Sequence, residues 1–204
     1  MTALPRARLW RRLDTTGTEF VVFDDRRGLA ARGVATATVP VPYACRYELF
    51  TDDTWVSARF EATVEGGGWL RTLRLERAAG RWRATTAEQG DLDAAMVAAG
   101  HAPLQPGSED PDRLHPVLDI DIYASPLTNT LPLRRLDLLH AEPGTTQTVK
   151  AAWVLVPSLA VVLSEQTYTV LGGGTVRYAS GAFAADLSLD ADGYVTHYPG
   201  LATV

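Results

Sequence analysis

Asp119 and Asp121 stand two residues apart at the head of the segment 119–139, DIDIYASPLTNTLPLRRLDLL, and Arg134 and Arg135 follow within it. In an extended strand that spacing puts both carboxylates on one face, roughly 6 to 7 Å apart. Such a pair could serve as general acid and base on a sugar or phosphate ester. Pairing of the two aspartates with the arginines is the simpler use of the same four side chains. A buried cluster of that kind costs about 3 to 5 kcal/mol to break on one side. It could also hold a sugar hydroxyl or a phosphate. Tyr123, Thr128 and Asn129 lie between the two pairs, and Trp153 adds an aromatic surface of the sort that lines carbohydrate or lipid pockets as well as cores.

Other chemistries fail on spacing. Asp190-Ala191-Asp192-Gly193 starts like a calcium loop, but Val195 stands where the loop needs glycine and Leu201 where it needs glutamate. The tetrad reads instead as a hairpin turn in which Asp-Gly accepts positive φ. Gly172-Gly173-Gly174 lacks the Lys-Ser/Thr pair and the helix of a phosphate loop, and reads as a hairpin tip. His101, His115, His140 and His197 fall at no zinc-binding spacing, and the lone Cys45 cannot complete a common cluster. No G-x-S-x-G elbow exists, and Cys45 reads as buried and inert. No metal or cofactor is expected.

The elements that must position these residues are strands. Ile120 and Ile122 alternate with Asp119, Asp121 and Tyr123, and Ser125-Pro126 ends the run because proline has no N–H for the ladder. Leu131, Leu133, Leu136 and Leu138 around Arg134-Arg135 predict a second strand that lays a guanidinium against the sheet. Val56, Ala58, Phe60, Ala62 and Val64 alternate with polar residues, and Gly66-Gly67-Gly68 supplies the next turn. Further strands are expected over 20–24, 29–39, 43–51, 69–77, 82–86, 146–156, 161–170, 175–180, 183–189 and 194–198. The fold class is therefore all-β and mainly antiparallel, a single curved, incompletely closed β-barrel with one or two short helices. A helix is expected over 91–99, where Leu92, Ala95, Met96 and Ala99 share a face and Gly100 can close it. The four prolines of 101–116 give that stretch the composition of a mobile loop. Helix and loop together read as an insertion at 88–116 in one domain spanning 1–204.

Bulk properties narrow the function. With 204 residues, 46% of them hydrophobic, the chain can bury one sizeable core. A formal charge of −5 gives no pull toward nucleic acid. No secretory leader opens the sequence, no apolar run reaches the roughly 18 residues of a transmembrane segment, and a single cysteine fits a reducing compartment. A soluble, cytoplasmic protein of unknown oligomeric state is expected.

The DxD pair followed by SPxTNTLPxRRL resembles the core motif of the putative glycolipid-binding family, formerly a domain of unknown function. Trp10-Arg11-Arg12-Leu13-Asp14, Tyr47-Glu48-Leu49 with Asp52 and Trp55, Gly80-Arg81-Trp82, Ala152-Trp153-Val154 and Tyr198-Pro199-Gly200-Leu201 extend the likeness over nearly the whole chain. The stretch 88–116 departs from the family pattern by its length, at a place where it could alter a ligand mouth. The resemblance implies a partial barrel similar to bacterial lipoprotein carriers, and non-enzymatic binding of a glycolipid or other amphiphile in the sheet's concavity. The ligand-binding set is then Asp119, Asp121, Tyr123, Thr128, Asn129, Arg134, Arg135 and Trp153. Burying about ten methylenes is worth roughly 8 kcal/mol before ordering costs, but a small barrel filled by its own side chains would leave no room. Two rivals stand beside this reading: a hydrolase using the Asp119 and Asp121 face, and a protein-interaction module using sheet edges.

Overall fold

The computed structural model describes residues 6–204; residues 1–5, part of the stretch in which no secretory leader was read, lie outside them. The first seven strands are β1 (Arg6–Arg12), β2 (Gly17–Asp24), β3 (Ala30–Ala37), β4 (Tyr43–Thr51), β5 (Ser57–Gly66), β6 (Trp69–Ala78) and β7 (Arg81–Gln89). The others are β8 (Asp119–Ile122), β9 (Thr146–Val154), β10 (Val161–Gly172), β11 (Thr175–Ser180), β12 (Phe183–Leu189), β13 (Val195–Tyr198) and β14 (Ala202–Thr203). All fourteen belong to one sheet in the order β7-β6-β5-β4-β3-β2-β1-β14-β13-β12-β11-β10-β9-β8. β1–β7 and β9–β14 are each a run of hairpins, and the pairing of β1 with β14 joins the two runs in the middle of the sheet. Trp10 strengthens that seam, its indole N–H donating to the Val195 carbonyl at 2.7 Å.

The curved, open sheet matches the expected class. Every strand pair is antiparallel except β8 with β9, and β7 and β8 remain as edges. Alternation holds along the strands: Val21 and Phe23 of β2, Leu49 of β4, Phe60 and Val64 of β5 and Leu73 and Leu75 of β6 all point inward and are fully buried. Burying side chains of this size is worth roughly 1.5 to 3 kcal/mol each, and together they fill the concavity of the first seven strands.

The stretch 88–116 helps to fill it. Helix α1 (Leu92–Ala98) begins where the Asp91 carboxylate accepts the Ala94 N–H at 2.8 Å, and Gly100 follows with φ of +82°. Its Leu92 and Met96 enter the core, as does Leu114 from a single 3-10 turn over Pro111–Leu114. The fully buried Arg71 of β6 fastens the stretch: its guanidinium pairs with Glu88 and Asp93 and donates to the Leu104 carbonyl at 2.7 Å. The Trp82 indole donates to the Val117 carbonyl at 3.0 Å, so the seam between the edges β7 and β8 is packed although the ladder does not close. No helix among the described residues is long and apolar enough to cross a membrane.

The expected strand around Arg134-Arg135 is absent. Pro126–Asn129 forms a 3-10 turn that leads straight into helix α2 (Thr130–Arg135). Leu127, Leu131, Leu133 and Leu138 are all buried, and so are the polar Thr128, Asn129 and Thr130. The alternating leucines therefore do not mark a two-faced strand; the segment is enclosed on nearly all sides, and Pro126 and Pro132 suit early helical positions.

Candidate functional site

Strand β8 delivers Asp119 and Asp121 to one face, as expected, but the two carboxylates meet different partners. Asp119 is buried and gripped by Arg135, whose Nε and Nη2 donate to its two oxygens at 3.1 and 2.6 Å. Burial pushes its pKa up, and the guanidinium opposes that shift. Among the described residues no cation pairs with Asp121. Its oxygens accept from Thr128 Oγ1 at 2.7 Å and Gln166 Nε2 at 2.6 Å, and burial raises its pKa to about 6. Gln166 in turn accepts from the Tyr168 hydroxyl at 3.2 Å, and that hydroxyl accepts from Asn129 at 3.1 Å. A neutral hydrogen-bond network thus supports one side of Asp121.

The other side opens into a cavity of about 420 Å³ in the concavity of β9–β13. Ser125, Asn129, Ser164 and Ser180 give it a polar end with Asp121, and Ser164 and Ser180 lie 3.2 Å apart, oxygen to oxygen. Tyr123 and Trp153, with ring centroids 6.1 Å apart, form one aromatic wall. Tyr178, Phe183 and Tyr198 form another, each ring 6.1 to 6.3 Å from the other two. The cavity's size and its mixture of aromatic surface with a few convergent polar groups are those of a small-ligand site.

Of the eight residues expected to bind ligand, Asp121, Tyr123, Asn129 and Trp153 line this cavity. Thr128 stands behind it, holding Asp121, and Arg135 is occupied by Asp119. Arg134 goes elsewhere: its guanidinium lies 5.2 Å from the Trp55 ring centre and 3.9 Å from Asp25, because it extends from a helix and not from the expected strand. Among the described residues no lysine or arginine lines the cavity.

Ser125, Ser164, Ser180, Tyr178, Phe183 and Tyr198 line the cavity without having been among the expected site residues. One signal was present. Ser164, Gln166 and Tyr168 occupy successive inward positions of β10, as Tyr178 and Ser180 do on β11, and polar groups on the concave side of adjacent strands mark a concavity not sealed by apolar packing.

A third carboxylate was also missed. Glu19 points inward from β2 and is almost wholly buried; Ser125 Oγ donates to its Oε1 at 2.5 Å, and the Tyr47 hydroxyl donates to the same oxygen. Tyr47 reaches across the intervening strand because Gly33 leaves space: a Cβ there would stand 2.2 Å from the Tyr47 ring. Burial pushes the Glu19 pKa up to about 7. Glu19 thus ties the first half of the sheet to the loop that carries Ser125 into the cavity wall. Cys45 nearby is buried, its thiol pushed up to about 12, which leaves no thiolate at neutral pH.

An open, curled, mainly antiparallel sheet with an aromatic-walled hollow in one half defines the class of this protein. The chain belongs to the family described as "Putative glycolipid-binding", whose model matches residues 7–203. It is similar to the crystal structure of a DUF1089 family protein from Pseudomonas aeruginosa, with 26% identity and a TM-score of 0.62 over 100% of this chain and 94% of that one. No curated protein matches.

Proposed function

We propose that the cavity beside Asp121 binds the uncharged, hydroxyl-rich head group of an amphiphile, such as the sugar of a glycolipid, without turning it over. The supporting observation is the make-up of the lining: a carboxylate with no cation partner among the described residues, three serines, an amide and five aromatic rings, with both neighbouring arginines engaged elsewhere. Sugar hydroxyls donate to carboxylates, and sugar C–H faces lie well on aromatic rings. A phosphate, sulfate or carboxylate would meet Asp121 with no cation to offset the repulsion. Hydrolysis by paired acids would need a second carboxylate at the cavity, and Asp119 is held by Arg135. The single buried cysteine fits a cytoplasmic setting.

Trp153 fluorescence and calorimetry with octyl β-glucoside, octyl sulfate and octyl trimethylammonium test the reading directly. The glucoside should bind and the sulfate should not. Binding of the sulfate alone, or of none of the three, would refute it. Release of nitrophenol from a panel of nitrophenyl glycosides, abolished in Asp121→Asn, would replace it with a hydrolase.

A further inference from the structure

Tyr123 belongs to two hollows at once. One face of the site is the cavity just described; on the other side lies a second cavity of about 280 Å³, which Tyr123 also lines. Three side chains stand in a row where the two hollows adjoin. The Arg12 guanidinium carbon, in the second cavity, is 5.9 Å from the Tyr123 ring centre, and the Trp153 ring, in the first, is 6.1 Å away.

The two hollows differ in chemistry. The first is aromatic and hydroxyl-lined. The second takes its apolar surface from the aliphatic Val39, Pro40, Met96, Leu104, Leu155 and Val156. Arg12 and Asp14 pair with each other there, Arg12 donating to both oxygens of Asp14 at 2.7 and 2.5 Å, and the His101 ring also lines the cavity. Three of its side chains are left unusually open to water: Val39 is 58% exposed, Leu104 44% and Tyr123 38%. Large apolar groups gathered at the mouth of a hollow are costly to leave wet, and they gain by being covered.

We infer that the second cavity is the tail subsite of the same ligand: a single alkyl chain leaves the head-group cavity across Tyr123 and lies against Leu104, Val39 and Leu155. This rests on the head-group reading given above, because the occupant is identified by the aromatic, hydroxyl-lined cavity that shares Tyr123 with this one. The aliphatic lining suits methylenes, the neutralised Arg12–Asp14 pair offers nothing to an ionic group, and α1 with its following loop supplies one wall through Met96 and Leu104. The long 88–116 stretch therefore builds part of the binding surface.

Hexyl, octyl and decyl β-glucoside below their micelle concentrations, measured by calorimetry on the whole chain, separate the two claims. Affinity of the unaltered protein should rise by up to about fourfold per added methylene. Leu104→Glu, at a half-exposed position that tolerates a polar side chain, should leave hexyl glucoside within twofold and flatten the rise from hexyl to decyl. An unchanged rise in Leu104→Glu would overturn the tail subsite while leaving the head-group site intact. Absence of binding by every glucoside would overturn the head-group reading, and this inference with it. A decyl glucoside carrying a diazirine at its tail end gives a test without substitution: labelling should fall on Met96, Leu104 or Leu155, and labelling confined to β10–β12 would overturn the assignment.

Discussion

The two halves of the sheet use their concavities in opposite ways. Around β3–β7 the hollow is filled by Leu49, Phe60, Leu73, Leu75 and Trp82 from the strands and by Leu92, Met96 and Leu114 from the connecting stretch, all buried, which leaves the smaller second cavity beside Val39, Pro40 and Met96. Around β9–β13 the inward positions carry Ser164, Gln166, Tyr168, Tyr178 and Ser180, and a cavity remains. Helix α2 approaches that second half, but its Leu133 packs with Tyr168, Val170 and Val176 beside the cavity and does not fill it. What separates a plugged barrel from a binding one is thus where the chain spends its long connections and which side chains line the concave side.

Substitutions in the filled half should act on stability first and most strongly. Phe60→Ala removes a fully buried ring. It should cost about 3 to 5 kcal/mol by urea unfolding; a cost below about 1 kcal/mol would mean that this half is not tightly packed. Next comes the ion pair at the border. Arg135→Ala leaves the nearly inaccessible Asp119 without its bidentate partner, and a loss of about 3 kcal/mol is expected. Arg134→Ala, whose side chain stacks on Trp55 near the surface, should cost less than about 1 kcal/mol. Equal losses from the two arginines would contradict the division of labour between them.

The strand pattern of both halves was legible because period-two alternation and glycine turns are local signals. β4, β11 and β12 lie over the expected residues, and the helix at 91–99 was marked by its cap and its apolar spacing. The β8–α2 connection was misread because leucines at 131, 133, 136 and 138 satisfy a strand rule while the segment is buried on several sides, a tertiary fact that no local period records. The Asp119–Arg135 pair could be expected from proximity in sequence. The cavity could not: Tyr123, Trp153, Tyr178 and Phe183 meet only after β8–β12 curl, and Glu19 finds Ser125 across 106 positions of sequence.

Glu19 offers a way to sharpen the comparison by pH, because it joins the halves. Its folded pKa of about 7 lies above its ordinary 4.5, so the folded state holds the proton more tightly than the unfolded chain does. Stability from this group is therefore complete below about pH 4.5 and is lost as pH rises to 7, by about 3 kcal/mol in all. Glu19→Gln should remove most of that decline in urea titrations between pH 4.5 and 8. Asp121, shifted in the same direction to about 6, should leave a smaller slope below pH 6. A variant as pH-sensitive as the original protein would show that Glu19 does not titrate in this range.

The smallest effect on folding should come from the rim of the unfilled half, and there stability and binding should part. Phe183 is 50% exposed, and its ring rests against Tyr178 and Tyr198 at the cavity mouth. Little apolar area is withdrawn from water when it folds, so Phe183→Ala should cost less than about 1 kcal/mol. If the ring's contact with a ligand is worth as much as a contact between two aromatic rings, roughly 0.5 to 1.5 kcal/mol, octyl glucoside affinity should fall about twofold to tenfold in the same variant. If Phe183→Ala instead destabilised the protein as strongly as Phe60→Ala and left glucoside binding unchanged, the ring would belong to packing, and the contrast between a filled and an open half would lose its clearest marker.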